Sequence, residues 1–421
     1  MSDKKLATDS YKGVRDFYPE DMAIQRYIFQ SWAKTAESFG FERYDASILE
    51  PSELYKAKGA ENEEMVNEQT YTFIDRGERE VTLRPEMTPT VARMVAGQRH
   101  ELTFPLRWYS IPNLFRYERP QRGRLREHWQ LNCDIFGADD VAADIEIIAL
   151  AYQTLINFGA KPEMFEIQIN NRQEMAELYA AIGITDTALV TAITRLTDRK
   201  KKIGADEYRV GLINIVGDET LADNIMRIVE DESGTNEVLE GLHTLGITNI
   251  KIDRTIARGF DYYTSTVFEI VDLHPDNNRA MLGGGRYDNL TAMFSDDAIS
   301  GVGFGMGDVT MRDFLETHKL IPEHIRTTAP QVMVIPMEAE QNLYAEKVAM
   351  HIRQAGHKVA TDIGTRKIGK KIGNASDCGS KFIIVIGQNE METGQLTVKH
   401  LPSGKEQSGT LDELMNFLDV E

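Results

Sequence analysis

The sequence predicts an α+β protein: a largely antiparallel sheet domain carrying a mainly helical insertion, followed by a smaller C-terminal α/β domain. Three observations predict it. Short strand-like runs crowd residues 41–136, and they are not each followed by a helix, which argues against alternating β-α units there. Residues 172–245 read as helix after helix, and strand-like, glycine-rich chain returns at 250–307, so the helical block is an insertion into the sheet domain. From Pro330 onward strands alternate with helices, the pattern of a small α/β domain.

The elements follow in order. Residues 21–40 set Ile24, Tyr27, Ile28 and Trp32 at three- and four-residue spacing with Gly40 as a carboxyl cap, an amphipathic helix. Strands are expected at 41–44, 69–74, 80–84, 104–111, 114–118 and 128–136. A second amphipathic helix at 144–158 uses Ile145, Ile148, Tyr152 and Leu155. In the terminal domain, strands at 332–335, 358–360 and 382–386 alternate with helices at 338–355 and 366–376. The expected domains are 1–171 and 248–326 for the two parts of the sheet domain, 172–247 for the insertion and 330–421 for the last unit.

At 421 residues the chain exceeds one ordinary core, and 42% hydrophobic with 27% charged residues excludes disordered and fibrous classes. No apolar run approaches the roughly 18 residues of a membrane span, and the polar opening residues predict no secretory signal. Cys133 and Cys378 are too few for a disulfide framework or a CxxC zinc site, which favours a reduced, cytoplasmic setting. The histidines form no HExxH pattern and predict no metal centre built from protein side chains. The net charge of −19 argues against a general nucleic-acid surface. Two basic clusters stand out against it: Arg116, Arg119, Arg122, Arg124 and Arg126 beside the single acid Glu118, and Arg366, Lys367, Lys370 and Lys371. The terminal domain, with ten basic against twelve acidic side chains, is the least acidic part.

The glycines at 301, 303, 305 and 307 do not fit the G-x-G-x-x-G spacing of a dinucleotide fingerprint, but they permit close approach of a ligand or backbone. Residues 364–371 nearly spell a phosphate loop; Lys371 stands where a Ser or Thr hydroxyl is required, so the run reads as a basic helix start. The arginine cluster reads as a hairpin whose Arg116 and Arg124 present planar, multi-donor forks suited to a triphosphate, with Glu118 as an acceptor for an adenine amino group. The run Arg-Gly-Phe-Asp-Tyr-Tyr-Thr at 258–264 and the run Leu-Gly-Gly-Gly-Arg-Tyr-Asp at 282–288 add a dense polar cluster and a second glycine-rich segment. Together these features propose a site for a polyanion and a small polar molecule.

These residues resemble the histidyl-tRNA synthetases, class II aminoacyl-tRNA synthetases, over essentially the whole chain. Residues 13–19 and the helix after them are similar to the motif 1 region of the dimer interface, and residues 115–124 to motif 2. Residues 258–263 and 282–288 are similar to the two histidine-specific motifs, and the terminal domain to an anticodon-binding domain. The resemblance implies an ATP-dependent ligase with Mg²⁺ that joins L-histidine to its cognate tRNA(His), acting as a homodimer with no membrane association. It places Arg116 and Arg258 in catalysis, and Arg116, Glu118, Arg124 and Arg258 on ATP. It places Glu86, Thr88, Gln130, Asp134, Tyr262 and Tyr263 on histidine. Gln121 and Arg122 are candidates for the tRNA acceptor end, and Lys370 and Lys371 for the anticodon stem. One departure is visible: Thr310 stands where motif 3 carries an arginine, with Arg312 the nearest basic residue. A non-catalytic relative, the regulatory subunit of ATP phosphoribosyltransferase in histidine biosynthesis, is the alternative.

Overall fold

A computed structural model describes residues 5–56, 69–233, 236–256, 262–277, 279–323, 325 and 329–419. The chain divides into two compact units, Met1–Glu323 and His324–Glu421. None of the helices among the described residues is long and apolar enough to cross a membrane.

The first unit is organised by a nine-stranded sheet. Its central strands run Leu106–Ser110, Glu127–Phe136, Gly301–Gly307, Ala280–Arg286, Thr266–Asp272 and Phe165–Asn171, each antiparallel to the next. Only the edge pairs are parallel, Glu42–Arg43 on Leu106–Ser110 and Ile250–Ile252 on Phe165–Asn171. The sequence reading omits the Phe165–Asn171 strand, although Phe165, Ile167 and Ile169 alternate into the core as a half-buried strand requires. The strand expected at 114–118 stops at Phe115, pairing over Asn113–Phe115 with the start of the long strand.

Period-two alternation decides which face of this sheet becomes the site. On the Glu127–Phe136 strand, Leu131, Cys133 and Ile135 enter the main core with Ile28, Trp32, Ile147, Ile148, Met311 and Phe314. These last six come from the helices Pro19–Ser38, Ala142–Asn157 and Asp308–Thr317. His128, Gln130, Asn132 and Asp134 therefore project to the opposite face, and a one-residue slip would exchange the two sets. The opposite face is backed by a smaller core in which Met87, Val91 and Val95 meet Phe136, Val267 and Tyr287.

Asp308 locks the amino-terminal segment to this frame. It is fully buried. Its carboxylate accepts from Arg15 Nη2 at 2.6 Å, from Gln25 Nε2 at 3.1 Å and from the Trp129 amide at 2.9 Å.

The insertion folds on its own core of Met175, Tyr179, Ile193, Tyr208, Leu212, Ala222 and Ile225. Asn171, Asp186 and Asp218 cap the first turns of its helices Arg172–Ala181, Thr187–Asp198 and Glu219–Glu230 through their side-chain oxygens. The Glu237–Thr244 helix, which the sequence reading assigns to the insertion, instead contributes Val238, Leu239 and Leu242 to the main core. It lies so close to Ile145 that a Cβ on Gly241 would stand 2.2 Å from the Ile145 Cδ1 atom.

The second unit carries a five-stranded sheet in the order Val359–Thr361, Val332–Pro336, Phe382–Ile386, Leu396–His400, Glu406–Gly409. The first three strands are parallel, as the alternation with helices requires, and the last two form an antiparallel extension that the sequence reading lacks. Val334, Val348, Ile352, Ile384 and Leu414 form its core.

Candidate active site

Two joined lobes open on the polar face of the large sheet. The larger is a cavity of about 710 Å³ whose wall includes Arg116, Glu118, Arg124, His128, Arg279 and Thr310. The smaller is lined by Glu86, Thr88, Asn132, Tyr262, Tyr263 and Tyr287 among others. Arg116, Gln130, Gly283 and Gly305 line both.

The glycines of the Gly301–Gly307 strand clear the floor. Gly303 pairs with Asp134 and Gly305 with Asn132. A Cβ on Gly303 would stand 2.3 Å from Asp134 Oδ1, and one on Gly305 would stand 2.6 Å from Gln130 Cδ. The two polar side chains lean into space that any other residue would fill. The core-facing partners Val302, Phe304 and Met306 on the same strand keep their side chains, so the glycines serve one face only.

Asp134 is buried at 3% exposure. Its Oδ1 accepts the Tyr287 hydroxyl, while Oδ2 is buried with no hydrogen-bond partner among the described residues. Burial pushes its carboxyl up to about 7, against which the Tyr287 bond works. Tyr262 donates to Glu86 Oε2 at 3.2 Å, and its own ionisation is pushed well up by burial and then by the Glu86 charge. Glu86 is itself buried. The Tyr262 ring lies 4.8 Å from that of Tyr263 and 5.8 Å from that of Tyr287, so the three rings form one wall. Thr88 begins the Thr88–Gln98 helix beside them. The sequence reading thus gathers Glu86, Thr88, Gln130, Tyr262 and Tyr263 around one lobe, with Asp134 bonded to Tyr287 in its wall. It assigns no role to Asn132 or Tyr287, although alternation from Gln130 and Asp134 points to Asn132.

Arg116 stands just past its strand. Its amide donates to the Arg126 carbonyl at 2.9 Å and its Nε to the Pro85 carbonyl at 2.8 Å. Glu118 and Arg124 pair at 2.9 Å, the carboxylate 9% and the guanidinium 43% exposed. Gln121 and Arg124 exchange two backbone hydrogen bonds, closing a tight turn in which Gly123 takes φ +73°. Gln121 is exposed; Arg122, also exposed, bonds to Asn277 Oδ1 at 2.8 Å. Of the five clustered arginines, Arg126 is structural: its guanidinium lies 3.9 Å from the Tyr117 ring centre and donates to Tyr11 Oη. His128, absent from the sequence reading, faces the same lobe. Burial, then the charges of Arg116, Arg15 and Arg124, push its imidazole down to about 3. Arg258 lies outside the described residues.

Two expectations change. Arg312, the alternative to a motif 3 arginine, is tied to Asp21 at 2.9 Å and Glu316 at 2.7 Å, and it lines neither lobe. Lys371 is not a surface cation. It is 3% exposed, and its ammonium donates to the carbonyls of Pro336 at 2.8 Å and Asp362 at 3.2 Å. Its neighbour Lys370 is exposed.

Solved structures share this arrangement of elements. The crystal structure of histidyl-tRNA synthetase from Nostoc sp. PCC 7120 superposes with a TM-score of 0.77 at 22% identity, covering 99% of each chain. Apo histidyl-tRNA synthetase from S. aureus gives 0.74 at 24% identity, covering 98% of this chain and 100% of that one. The fold is that of an aminoacyl-tRNA synthetase of the second class, an antiparallel sheet with a polar site on one face and a separate terminal domain. The family model described as histidyl-tRNA synthetase matches residues 13–308, and that of an anticodon binding domain matches residues 331–421. The histidine–tRNA ligase of Leptospira biflexa is 38% identical over 440 residues, covering 100% of this chain and 99% of the relative. That of Thermoplasma volcanium is 37% identical, covering 98% and 99%. The chain belongs to the histidyl-tRNA synthetase family.

Proposed function

We propose that the protein ligates L-histidine to tRNA(His) in two steps, with ATP as the energy source. The observation that carries this reading is the junction of the two lobes: an arginine-walled cavity for a nucleotide and a tyrosine–carboxylate lobe for a small ligand share Arg116 and Gln130. Full-length similarity to proteins named histidine–tRNA ligase supports it.

In the first step the histidine carboxylate attacks the α-phosphorus of ATP, and the bond to pyrophosphate breaks. Two anions must approach, so positioning and neutralisation dominate the barrier. Arg116 sits at the junction and takes the α-phosphate, with Arg258 as its counterpart; Glu118 and Arg124 hold the adenine end. Glu86 and Thr88 receive the α-ammonium. Asp134, Gln130, Tyr262 and Tyr263 surround the imidazole, and the unpartnered Asp134 Oδ2 is the acceptor for a ring N–H. Selectivity then follows from leaving that buried acceptor unpaired with any analogue lacking the N–H. In the second step the terminal ribose hydroxyl of tRNA attacks the acyl carbon and AMP leaves. Gln121 and Arg122 on the exposed turn meet the acceptor end, and Lys370 the anticodon stem.

Mg²⁺ fits as an ion carried by the nucleotide. Among the described residues no group of three or more His, Cys, Asp or Glu converges, while Glu118 and Glu269 offer carboxylate oxygens in the cavity wall. When bound it neutralises phosphate charge. The reading includes a homodimer in the cytoplasm.

The test is ATP–pyrophosphate exchange across the twenty amino acids, followed by tRNA charging. Exchange with histidine alone is expected, and exchange with another amino acid would overturn the reading. No exchange at all would favour the regulatory-subunit alternative, against which the match of residues 331–421 to an anticodon binding domain already argues.

A further inference from the structure

We infer that Arg279 grips the outer phosphates of ATP, an inference that rests on the ATP-dependent reading above. Arg279 directly precedes the Ala280–Arg286 strand and lines the arginine-walled lobe beside Thr310. A Cβ on Gly123 would stand 3.0 Å from Arg279 Cδ and 3.3 Å from Thr310 Cγ2. The hairpin turn, Arg279 and the first turn of the Asp308–Thr317 helix therefore meet at one corner of the cavity.

The other basic groups near that corner are committed. Arg312 pairs with Asp21 and Glu316, Arg124 with Glu118, and Arg122 bonds to Asn277 and Thr317. Arg279 makes no hydrogen bond or ion pair among the described residues. Its charged form is disfavoured by burial and then by the neighbouring Arg124 charge, with only Glu118 opposing. A guanidinium held part-buried against a second guanidinium is unsatisfied until an anion arrives, and its planar fork suits phosphate oxygens.

The same corner accounts for Thr310. Its hydroxyl is turned away, donating to the carbonyls of Met281 at 3.1 Å and Gly307 at 3.2 Å. Its methyl and Arg279 Cδ approach the same point beside Gly123, so a long side chain at 310 would contest the space that Arg279 fills. The arginine expected on the helix is supplied from the residue that leads into the adjacent strand.

The experiment compares wild type with Arg279→Ala and Arg279→Lys in ATP–pyrophosphate exchange, with ATP and AMP affinities measured by calorimetry. Arg279→Ala should raise the KM for ATP roughly 10- to 100-fold, the size of a lost charge-assisted contact. AMP affinity should fall far less than ATP affinity, because AMP lacks the outer phosphates, the KM for histidine should stay near wild type, and Arg279→Lys should recover part of the loss. An unchanged KM for ATP in an active Arg279→Ala enzyme would overturn the inference and leave the ligase reading intact. Equal loss of ATP and AMP affinity would also overturn it, by showing that the residue shapes the pocket as a whole. A wild-type protein that exchanges with no amino acid would remove the ligase reading, and this inference with it.

Discussion

The Tyr287 hydroxyl bonds to the Asp134 carboxylate across the Gly301–Gly307 strand, which lies between the strand that carries Asp134 and the strand that Tyr287 directly follows. The contact crosses the cleared floor, fixes one carboxylate oxygen and leaves the other unpartnered. Its chemistry is pH-dependent. The Asp134 carboxyl stands at about 7 in the folded protein against 3.8 when solvated. Near neutral pH the site holds a mixture of acid and carboxylate, and only the carboxylate can accept on both oxygens at once, from Tyr287 on Oδ1 and from an imidazole N–H on Oδ2.

The first prediction follows. The kcat/KM for histidine should rise with pH through a limb at about 7, because that ratio reports the free enzyme. The kcat/KM for ATP should lack this limb, and Asp134→Asn should abolish it while lowering histidine use. A limb that survives in Asp134→Asn belongs to another group. Stability carries the opposite sign. A raised carboxyl adds stability that is complete below 3.8 and lost as pH rises through 7. Relative to wild type, Asp134→Asn should therefore gain in unfolding free energy at pH 8 compared with pH 5, by an amount on the order of a few kcal/mol, read by chemical unfolding.

His128 gives the second prediction, on the acid side. Its imidazole is held down at about 3 by burial and three arginines, against 6.5 when solvated. The neutral ring stabilises the fold above 6.5, and that contribution is lost as pH falls toward 3. Chemical unfolding of His128→Gln should show a shallower loss of stability between pH 6 and 4 than wild type, by up to about 1.4 kcal/mol per pH unit. Parallel curves for the two proteins would contradict the assignment.

The floor glycines supply the third. Gly303→Ala brings a Cβ to within 2.3 Å of Asp134 Oδ1, so the carboxylate must move. The expected result is a large rise in the KM for histidine with AMP binding retained, and a cost of about 1–3 kcal/mol from overpacking. Gly373→Ala is the control. That residue lies inside the Ile368–Asp377 helix, where a Cβ meets nothing within 4 Å. It should be neutral or stabilise by roughly 0.5–1 kcal/mol, as helix propensity dictates. Equal loss of histidine and AMP binding in Gly303→Ala would show general collapse of the floor.

The architecture was legible where pattern and local chemistry coincide. The helices around Trp32 and Ile148 follow from apolar spacing, and the terminal alternation of strand and helix follows from short apolar runs such as Phe382–Ile386. The Phe165–Asn171 strand was harder, because its antiparallel partner Thr266–Asp272 comes roughly a hundred residues later and no turn links them. The Glu237–Thr244 helix has the same periodicity as the insertion helices before it, and only packing against Ile145 tells it apart. The site divides likewise. Arg116, Glu118 and Arg124 are visible as a charged hairpin, but the clearing of one sheet face by alternate glycines requires register. Arg279 carries no local signal, since its meaning depends on Gly123 and Thr310, which lie far away in sequence.

A fourth prediction concerns the pair Arg286 and Asp144. Both are buried, and the guanidinium meets the carboxylate through Nε at 3.0 Å and through Nη2. The contact ties the second glycine-rich segment to the Ala142–Asn157 helix. Asp144→Ala leaves a buried guanidinium without this partner and should cost about 3–5 kcal/mol, read by thermal unfolding. A variant with normal stability would mean that Asp288, 3.3 Å from Arg286 Nη1, suffices alone.

Adjacent lysines give the last prediction, because helical geometry sends them to different surroundings. Lys370 is exposed, while Lys371 is buried with its ammonium on two backbone carbonyls at the carboxyl ends of neighbouring strands. Lys370→Glu reverses a charge in water and leaves the core intact. It should weaken tRNA charging, more so at low salt, and spare pyrophosphate exchange, since only charging requires the bound polyanion that such a charge attracts. Lys371→Met removes a buried donor and leaves the Pro336 and Asp362 carbonyls unsatisfied, a loss of about 1–3 kcal/mol. It should lower the melting temperature of the second unit, and at a permissive temperature tRNA charging should remain near wild type. Loss of charging in Lys371→Met without loss of stability would return Lys371 to the RNA surface. Intact charging in Lys370→Glu would remove this stretch from the interface altogether.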